Sequence, residues 1–449
     1  MLSNPVVISI VVLLALSLLR VNVVIALVIS ALTAGLCGDL GLGKTIEAFT
    51  GGLGGGAEVA MNYAMLGAFA IAISKSGITD LLAYKIITRM NKTPTGKNLA
   101  WFKYTLLSIL LLFAISSQNL LPVHIAFIPI VVPPLLSIFN RLKIDRRAVA
   151  CIITFGLTAT YMILPVGFGK IFIESVLVKN INLAGASLGL QTSVGEVSFA
   201  MLIPVIGMIL GLLTAVFVTY RKPREYVVTT EPTTTEIEQH IANIKPIQIT
   251  ASAVAIVATF ATQLFTSSTI IGGLVGLTIF GAFGIFKLKE SNDIFQQGLR
   301  LMAMIGFVMI AASGFANVIN TTSGVKELVD ALSTGAIQSK GVAAFLMLLV
   351  GLLITMGIGS SFSTVPIITS IYVPLCLSFG FSPLATVAIV GVAAALGDAG
   401  SPASDSTLGP TSGLNIDGKH DHIWDSVVPT FIHYNIPLLA FGWIAAMTL

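Results

Sequence analysis

Two polar insertions interrupt otherwise apolar helical sequence, and they fall in the same order in each half of the chain. The first reads Ser116-Ser117-Gln118-Asn119-Leu120-Leu121-Pro122 and the second Ser360-Ser361-Phe362-Ser363-Thr364-Val365-Pro366. Each is followed by another apolar arm and then a second break, around Leu164 to Lys170 and around Gly397 to Thr411. Irregular backbone at membrane depth is tolerated only where protein or a water-filled cavity satisfies its N–H and C=O groups. A duplicated break therefore points to a solute site inside a membrane protein.

Composition excludes a soluble globule. Mean hydropathy is +0.96 and only 10% of residues are charged, against roughly 25% in an ordinary soluble domain. Spans of about 20 apolar residues recur from Pro5 to Leu449. Cys37, Cys151 and Cys376 all sit in apolar segments and are expected to be buried as small hydrophobes, with no disulfide or metal site. No cleavable leader is expected, because the first apolar stretch lacks a basic segment and runs into a second.

Lys and Arg cluster at Lys85 to Lys103, Arg141 to Arg147, Arg221 to Arg224 and Lys287 to Lys289. The positive-inside rule puts these loops in the cytoplasm. Residues 104–140, bracketed by two such clusters, then form a re-entrant hairpin dipping in from that side. A broken span at 148–178 goes out, Asn180 to Gly195 form an outer loop, and a span at 196–220 returns. The second half reads as the first inverted, since Ser76-Gly77-Ile78-Thr79-Asp80-Leu81-Leu82 resembles Ser323-Gly324-Val325-Lys326-Glu327-Leu328-Val329 and the tips and breaks follow in order. Spans near 247–265, 269–286 and 300–317 place a second hairpin, 341–381, on the outer side. The expected fold is an all-α polytopic membrane protein of two inverted-topology repeats, residues 1–221 and 247–449, each with a re-entrant helical hairpin and a broken transmembrane helix. Residues 222–246 form a cytoplasmic linker, read as a solvated tether.

Gly38 to Thr45 satisfies the P-loop pattern GxxxxGK[ST], but that pattern cradles phosphate only between a strand and a helix. Here it follows an apolar helix and falls outside the cell, so the match is read as chance within a Gly-rich outer loop, and the glycines of Thr50 to Gly56 that follow are read as a flexible or tightly packed connection. The strongest chemical signal is Gly397-Asp398-Ala399-Gly400-Ser401-Pro402-Ala403-Ser404-Asp405-Ser406-Thr407. Intramembrane carboxylates are costly and mark function by default. Oxygen donors of this kind suit Na⁺, and a desolvated acid can carry a proton. The alternative is that Ser401 or Ser404 merely caps a helix beside two loop acids. The matching break of the first half, with Thr158 and Thr160, lacks acids; it could present hydroxyls and positive helix ends to an anionic group. A zwitterion needs both kinds of partner.

Other polar residues have simpler readings. Asn62, Asn317, Asn320 and His433 are expected to bond between helices, Glu47 and Glu58 to be surface acids, and His124 to pack with its ring satisfied. Lys170 is either a site cation or a residue snorkelling to the surface. His420 and His422 are too closely spaced to specify a metal site.

The run GDAGSPASDSTLGPTSGLN, followed by Lys419-His420-Asp421-His422-Ile423-Trp424, resembles the NhaC-type Na⁺/H⁺ antiporter family within the ion transporter superfamily. It is most similar to the YuiF-type branch, regarded as amino-acid permeases with histidine among the proposed substrates. The resemblance implies that Asp398, Ser401, Ser404, Asp405 and Thr407 line the cation or substrate site, with Asp398 and Asp405 holding Na⁺. The tips, Ser116, Ser117, Gln118, Asn119 and Ser360, Ser361, Ser363, Thr364, would add hydroxyls, amides and helix N-termini. Relatives that carry dicarboxylates have Ser-Asn-Thr tips, from which both tips here depart. The expected function is cation-coupled transport of a small solute, an amino acid foremost, with direct Na⁺/H⁺ antiport as the alternative and a channel or an ATP-driven pump as rivals of another class. Na⁺ and/or H⁺ are the coupling ions, with no other cofactor and no enzymatic activity. The expected partners are the solute and the bilayer of a bacterial cytoplasmic (inner) membrane, with no nucleic acid; the superfamily adds a homodimer.

Overall fold

A chain this apolar can satisfy its backbone in lipid only within its own helices, and helices carry most of the described residues. The computed structural model describes residues 4–19, 21–78, 81, 97–119, 128–226, 246–266, 268–324, 327 and 339–449, and no strand occurs among them. Six of its helices are long and apolar enough to cross a membrane.

The first half begins with α1 (Pro5–Leu18), α2 (Val23–Cys37) and α3 (Gly41–Lys75). Two helices follow, α4 (Lys97–Asn119) and α5 (Ile128–Arg141), the expected arms of the first hairpin, with residues 120–127 between them outside the described set. Next comes a helix in two arms: α6 (Arg146–Thr158), and α7, built from Phe168–Lys170, the wide π-turns of Ile171–Val178 and Lys179–Gly185. The half ends with α8 (Val194–Ala200) and α9 (Leu202–Thr219). The second half keeps the order, with α10 (Pro246–Thr266), α11 (Thr269–Ala282) and α12 (Ser291–Thr321), then the hairpin of α13 (Lys340–Ile358) and α14 (Ser361–Ser378). The broken helix α15 (Pro383–Ala395) and α16 (Asp405–Leu414) precedes the final α17 (His422–Thr448).

The side chains at each hairpin's base fix its direction. Arg146 donates to Asn140 Oδ1 at 3.0 Å, to the Leu414 carbonyl at 2.9 Å and to both carboxylate oxygens of Asp417 at 2.6 and 2.5 Å. Arg224 reaches Asp425 at the start of α17 at 2.7 Å. The base of the first hairpin and the ends of α6 and α16 therefore share one basic end of the bundle. At the far end of α17, Trp443 donates to the Gly341 carbonyl and the Leu449 carbonyl accepts from Ser382. The second hairpin thus enters from the opposite end.

The long helices α3 and α12 lie antiparallel in close contact. A Cβ at Gly56 would come within 2.4 Å of the Met309 carbonyl, and one at Gly67 within 2.4 Å of the Gly298 carbonyl. Ser313 donates to the Gly52 carbonyl at 2.8 Å and Asn317 to the Ala48 carbonyl at 2.7 Å. The stretch Thr50–Gly56, expected as an outer loop, is therefore the interior of a helix. Its glycines lower intrinsic helix propensity, yet they let a second backbone approach. The P-loop match straddles the α2–α3 turn and has no strand before it.

Other expectations are corrected. Residues 180–185 continue α7 rather than forming loop, and the first break opens at 159, before Leu164. Cys37 is exposed, whereas Cys151 and Cys376 are buried. The start of the expected tether is docked: Lys143 pairs with Glu225 at 2.5 Å, and the Arg146 N–H donates to the Tyr226 hydroxyl at 2.9 Å. His124 and most of Ser323–Val329 lie outside the described residues.

Candidate functional site

The second break is held open by its own backbone. Gly397 sits at φ +88°, where a Cβ would meet the Met356 backbone nitrogen at 2.9 Å, and its N–H donates to Asn435 Oδ1 at 3.0 Å. This turns Asp398 inward, to 5% exposure. Its Oδ2 accepts from the Tyr161 hydroxyl at 2.6 Å and Ser361 Oγ at 2.8 Å, and its Oδ1 from Ser404 Oγ at 2.8 Å and, more weakly, Ser406 Oγ at 3.4 Å. An ionised carboxylate withdrawn from water costs several kcal/mol unless its lone pairs are matched, and hydroxyls from three elements match them here. Asp398 therefore ties the first break (Tyr161), the second tip (Ser361) and its own break together.

Ser404 does two things at once. It accepts the Ser406 N–H at 3.2 Å as the N-cap of α16 while donating to Asp398 at 2.8 Å. Ser401 accepts the Ala403 N–H, and Thr407 donates to the Ser401 carbonyl at 2.6 Å; these two shape the loop and do not reach Asp398. Asp405 is half-buried, with Ser406 Oγ 3.5 Å from its Oδ1. It borders a cavity of about 620 Å³ walled by glycines of α3, Asn317 and Asn320 of α12 and Ser360 at the second tip.

On the first tip, Asn119 donates to Thr160 Oγ1 at 2.6 Å, joining tip to break. Thr158 and Ser117 bond back to their own helices through the Thr154 and Ala114 carbonyls. Gln118 is buried and Ser116 half-buried. Thr364 bonds to the Ser360 carbonyl at 2.9 Å. The side chain of Ser363 and residues 120–122 lie outside the described positions. Lys170 is largely exposed, 3.9 Å from Glu174, and so faces the surface rather than the acids. Among the described residues no three His, Cys, Asp or Glu side chains gather in a metal-binding group.

Several groups escaped sequence reasoning. Ser406 lies inside the Gly397 to Thr407 run without a role of its own there, Tyr161 lies just before the Leu164 to Lys170 break, and Asn435 lies 38 residues beyond Gly397. His422 Nε2 is 2.9 Å from the Pro402 carbonyl and its Nδ1 is 2.9 Å from Thr411 Oγ1. A carbonyl only accepts, so Nε2 carries the hydrogen, while the Thr411 hydroxyl also meets the Thr407 carbonyl at 2.9 Å and Ser426 Oγ at 2.8 Å. Thr411 and His422 also line a second cavity, about 490 Å³, with Arg300 and Asp421. Asn317 and His433 bond between helices as expected, His433 to Thr219 at 2.9 Å.

The sequence profile of the Na⁺/H⁺ antiporter family matches residues 152–443, and that of a Na⁺-H⁺ antiporter family matches residues 4–90. The chain belongs to the Na⁺/H⁺ antiporter family. It is 84% identical to a membrane protein of Haemophilus influenzae over the whole of both chains. It is also 51% identical to YuiF of Bacillus subtilis, provisionally named an amino acid transporter, over 99% of this chain and all of that one. The solved structure of Neisseria gonorrhoeae MtrF overlays 90% of this chain and 83% of its own at 14% identity and a TM-score of 0.42, too loosely to bear on the site. The antiporter-family profile takes in both breaks, the second hairpin and α17, and with them Tyr161, Asp398, Asp405 and His422. The protein is a membrane transporter.

Proposed function

We propose that this antiporter-family chain is a secondary active transporter that carries an amino acid, histidine being the first to test, across the bacterial cytoplasmic membrane in step with Na⁺ or H⁺. The observation that carries the reading is the pair of acids with unequal surroundings. Asp398 is closed within hydroxyls from three elements, whereas Asp405, seven residues on, borders a cavity. Asp405 is the group that meets a cation, either Na⁺ or the ammonium of a zwitterion, while the N-terminus of α14 at the second tip offers a positive helix end to its carboxylate. A proton on Asp398 turns one acceptor oxygen into a donor, so at least one of its hydroxyls must turn or leave. Proton uptake is thereby linked to the joint between the second tip and the first break.

The two cavities supply the access that such a cycle needs. One touches Asp405 and the other Thr411, six residues or about 9 Å apart along α16. Val308 and Leu408, both buried, line the second cavity. Alternating access then exchanges which cavity reaches the acids. The matched order of the halves and the opposed hairpins support two inverted repeats, 1–221 and 247–449, joined by 222–246, with a homodimer as the assembly to test. Direct Na⁺/H⁺ exchange is the second reading, favoured by the family match.

Uptake into proteoliposomes, with a panel of amino acids and imposed Na⁺ or pH gradients, decides between them. Gradient-driven accumulation of an amino acid supports the first reading. Na⁺-dependent proton release with no amino-acid flux replaces it with the second, and flux without any uphill accumulation indicates a channel.

A further inference from the structure

The second cavity, about 490 Å³, falls within the roughly 300–1,000 Å³ of small-molecule sites. Its wall carries two opposite charges, Arg300 of α12 and Asp421 just before α17, and they do not pair with each other. Among the described residues Arg300 has no ion pair or hydrogen bond. Asp421 Oδ1 accepts the Trp424 N–H at 2.8 Å, and its Oδ2 has no partner among those residues. Two neutral groups on the same wall are also unmatched. Ser17, in the last turn of α1, is 1% exposed and its Oγ has no hydrogen-bond partner. Asn415 accepts the His420 N–H on Oδ1 at 3.1 Å, and its NH₂ has no partner among the described residues. A buried hydroxyl without a partner costs the fold stability, and an unpaired charge in a membrane bundle marks function by default. An arginine that only snorkels to lipid would need neither the acid nor the orphaned hydroxyl beside it.

We propose that this cavity is a binding station for a zwitterionic solute, an α-amino acid whose carboxylate is taken by Arg300 and whose ammonium is taken by Asp421. The proposal rests on the reading of the chain as an amino-acid transporter, and adds to it a second place where the solute is held. The formal charges of Arg300 and Asp421 cancel, so a singly charged solute leaves one of them unmatched while a zwitterion matches both. The planar guanidinium offers a carboxylate two parallel N–H donors. Ser17 Oγ and the Asn415 NH₂ remain to hydrogen-bond the same end groups, and Val308 and Leu408 give the solute's side chain an apolar wall. Gly418, next to Asp417, also lines the cavity, which puts the station at the basic end of the bundle. By the positive-inside rule that end is cytoplasmic, so the station serves capture or release on that face.

Sidedness separates a binding role from a structural one. Transport of radiolabelled amino acids, L-histidine first in the panel, is measured in everted and in right-side-out membrane vesicles. The parent is compared with Arg300→Gln, Asp421→Asn and Ser17→Ala, beside each melting temperature and the anionic lipid that copurifies. Asp421→Asn keeps the oxygen that caps α17, and Ser17→Ala only removes the unpartnered hydroxyl. The two charge variants should raise KM on the cytoplasmic face about tenfold or more, the range for a lost hydrogen bond to a charged group, with KM on the outer face close to parental. Ser17→Ala should raise the same KM while its melting temperature holds or rises. Parental KM on both faces in the charge variants, or in Ser17→Ala where those fail to insert, overturns the station and leaves the transporter reading standing. Equal rises on both faces overturn it too, by assigning the residues to the shared site or to the fold. Parental kinetics with loss of copurifying anionic lipid in Arg300→Gln would assign that residue to a lipid headgroup instead. A parent that moves no amino acid overturns the transporter reading and this proposal with it.

Discussion

Asp398 and Asp405 differ less in chemistry than in what surrounds them, and their substitutions should fail in different ways. Asp405→Asn removes the charge at the cavity wall while keeping an acceptor oxygen for Ser406, so the protein should insert and melt close to the parent. Its coupled uptake should fall at least about tenfold, since a charged hydrogen bond is worth about 1.5–3 kcal/mol. Asp398→Asn also puts an NH₂ where hydroxyls donate, so it should lose uptake and lower the melting temperature as well. Parental uptake in both variants would remove the acids from the site. His422 offers a finer test, because its Nε2–H holds the Pro402 carbonyl of the break. His422→Ala should slow transport, and His422→Gln, which keeps a donor of similar reach, should restore most of the rate. If Ala and Gln behave alike, the bond to Pro402 does not position the break. The acids were legible in the sequence because a charge inside an apolar run stands out on cost alone. Tyr161 was not, since a tyrosine within a helical segment is ordinary until the fold shows which oxygen it faces. His422 was visible as a residue and opaque as a role, because its partner lies 20 residues away.

At the scale of elements, the second hairpin and the two breaks could be read because polar and Pro-bearing segments contrast with their apolar arms, whereas the glycines of α3 were read as an outer connection rather than a helix. Local propensity argues that Gly51, Gly52, Gly54, Gly55 and Gly56 form a loop. The backbone of α12 lying against that face overrides it, and such a partner is invisible in the run itself. The two kinds of glycine can be told apart by substitution. Gly54 has nothing within 4 Å of where a Cβ would sit, so Gly54→Ala should stabilise the protein by roughly 0.5–1 kcal/mol through helix propensity. Gly56→Ala drives a methyl into the Met309 carbonyl and should destabilise it by about 1–3 kcal/mol. Melting of the two variants in one detergent checks both signs, and a loss of stability in Gly54→Ala would mean that this face of α3 is covered.

Across the whole molecule, the long-range tie that sequence could not show is Arg146 with Asp417. It joins the start of one broken helix to the loop after the other across 271 residues. Arg146 is fully buried, bonded to both Asp417 oxygens and stacked 4.3 Å from the Tyr226 ring, which explains why the chain after Arg221 is docked rather than free. Removing one partner of a buried pair costs about 3–5 kcal/mol, and Arg146→Ala should lower stability by that order while Asp417→Asn costs less. Acid sensitivity follows from the same end of the bundle. Burial pushes the His420 imidazole down to about 3, so below the ordinary histidine value of about 6.5 the unfolded chain takes a proton that the folded one refuses. Stability falls as pH drops from there. Burial also pushes the Asp417 carboxyl up, but the hydrogen bonds and charge of Arg146 outweigh it and hold the group below its usual value. That contribution is full above the ordinary carboxylate range and is lost as pH falls through it, near pH 4 and below. The melting temperature should therefore decline in two stages on acidification. His420→Gln should flatten the stage that begins near pH 6.5, and Asp417→Asn the one below about pH 4. A parent whose melting temperature stays level from pH 7 to pH 5 would show that His420 takes its proton within the fold, and that the basic end of the bundle opens without unfolding.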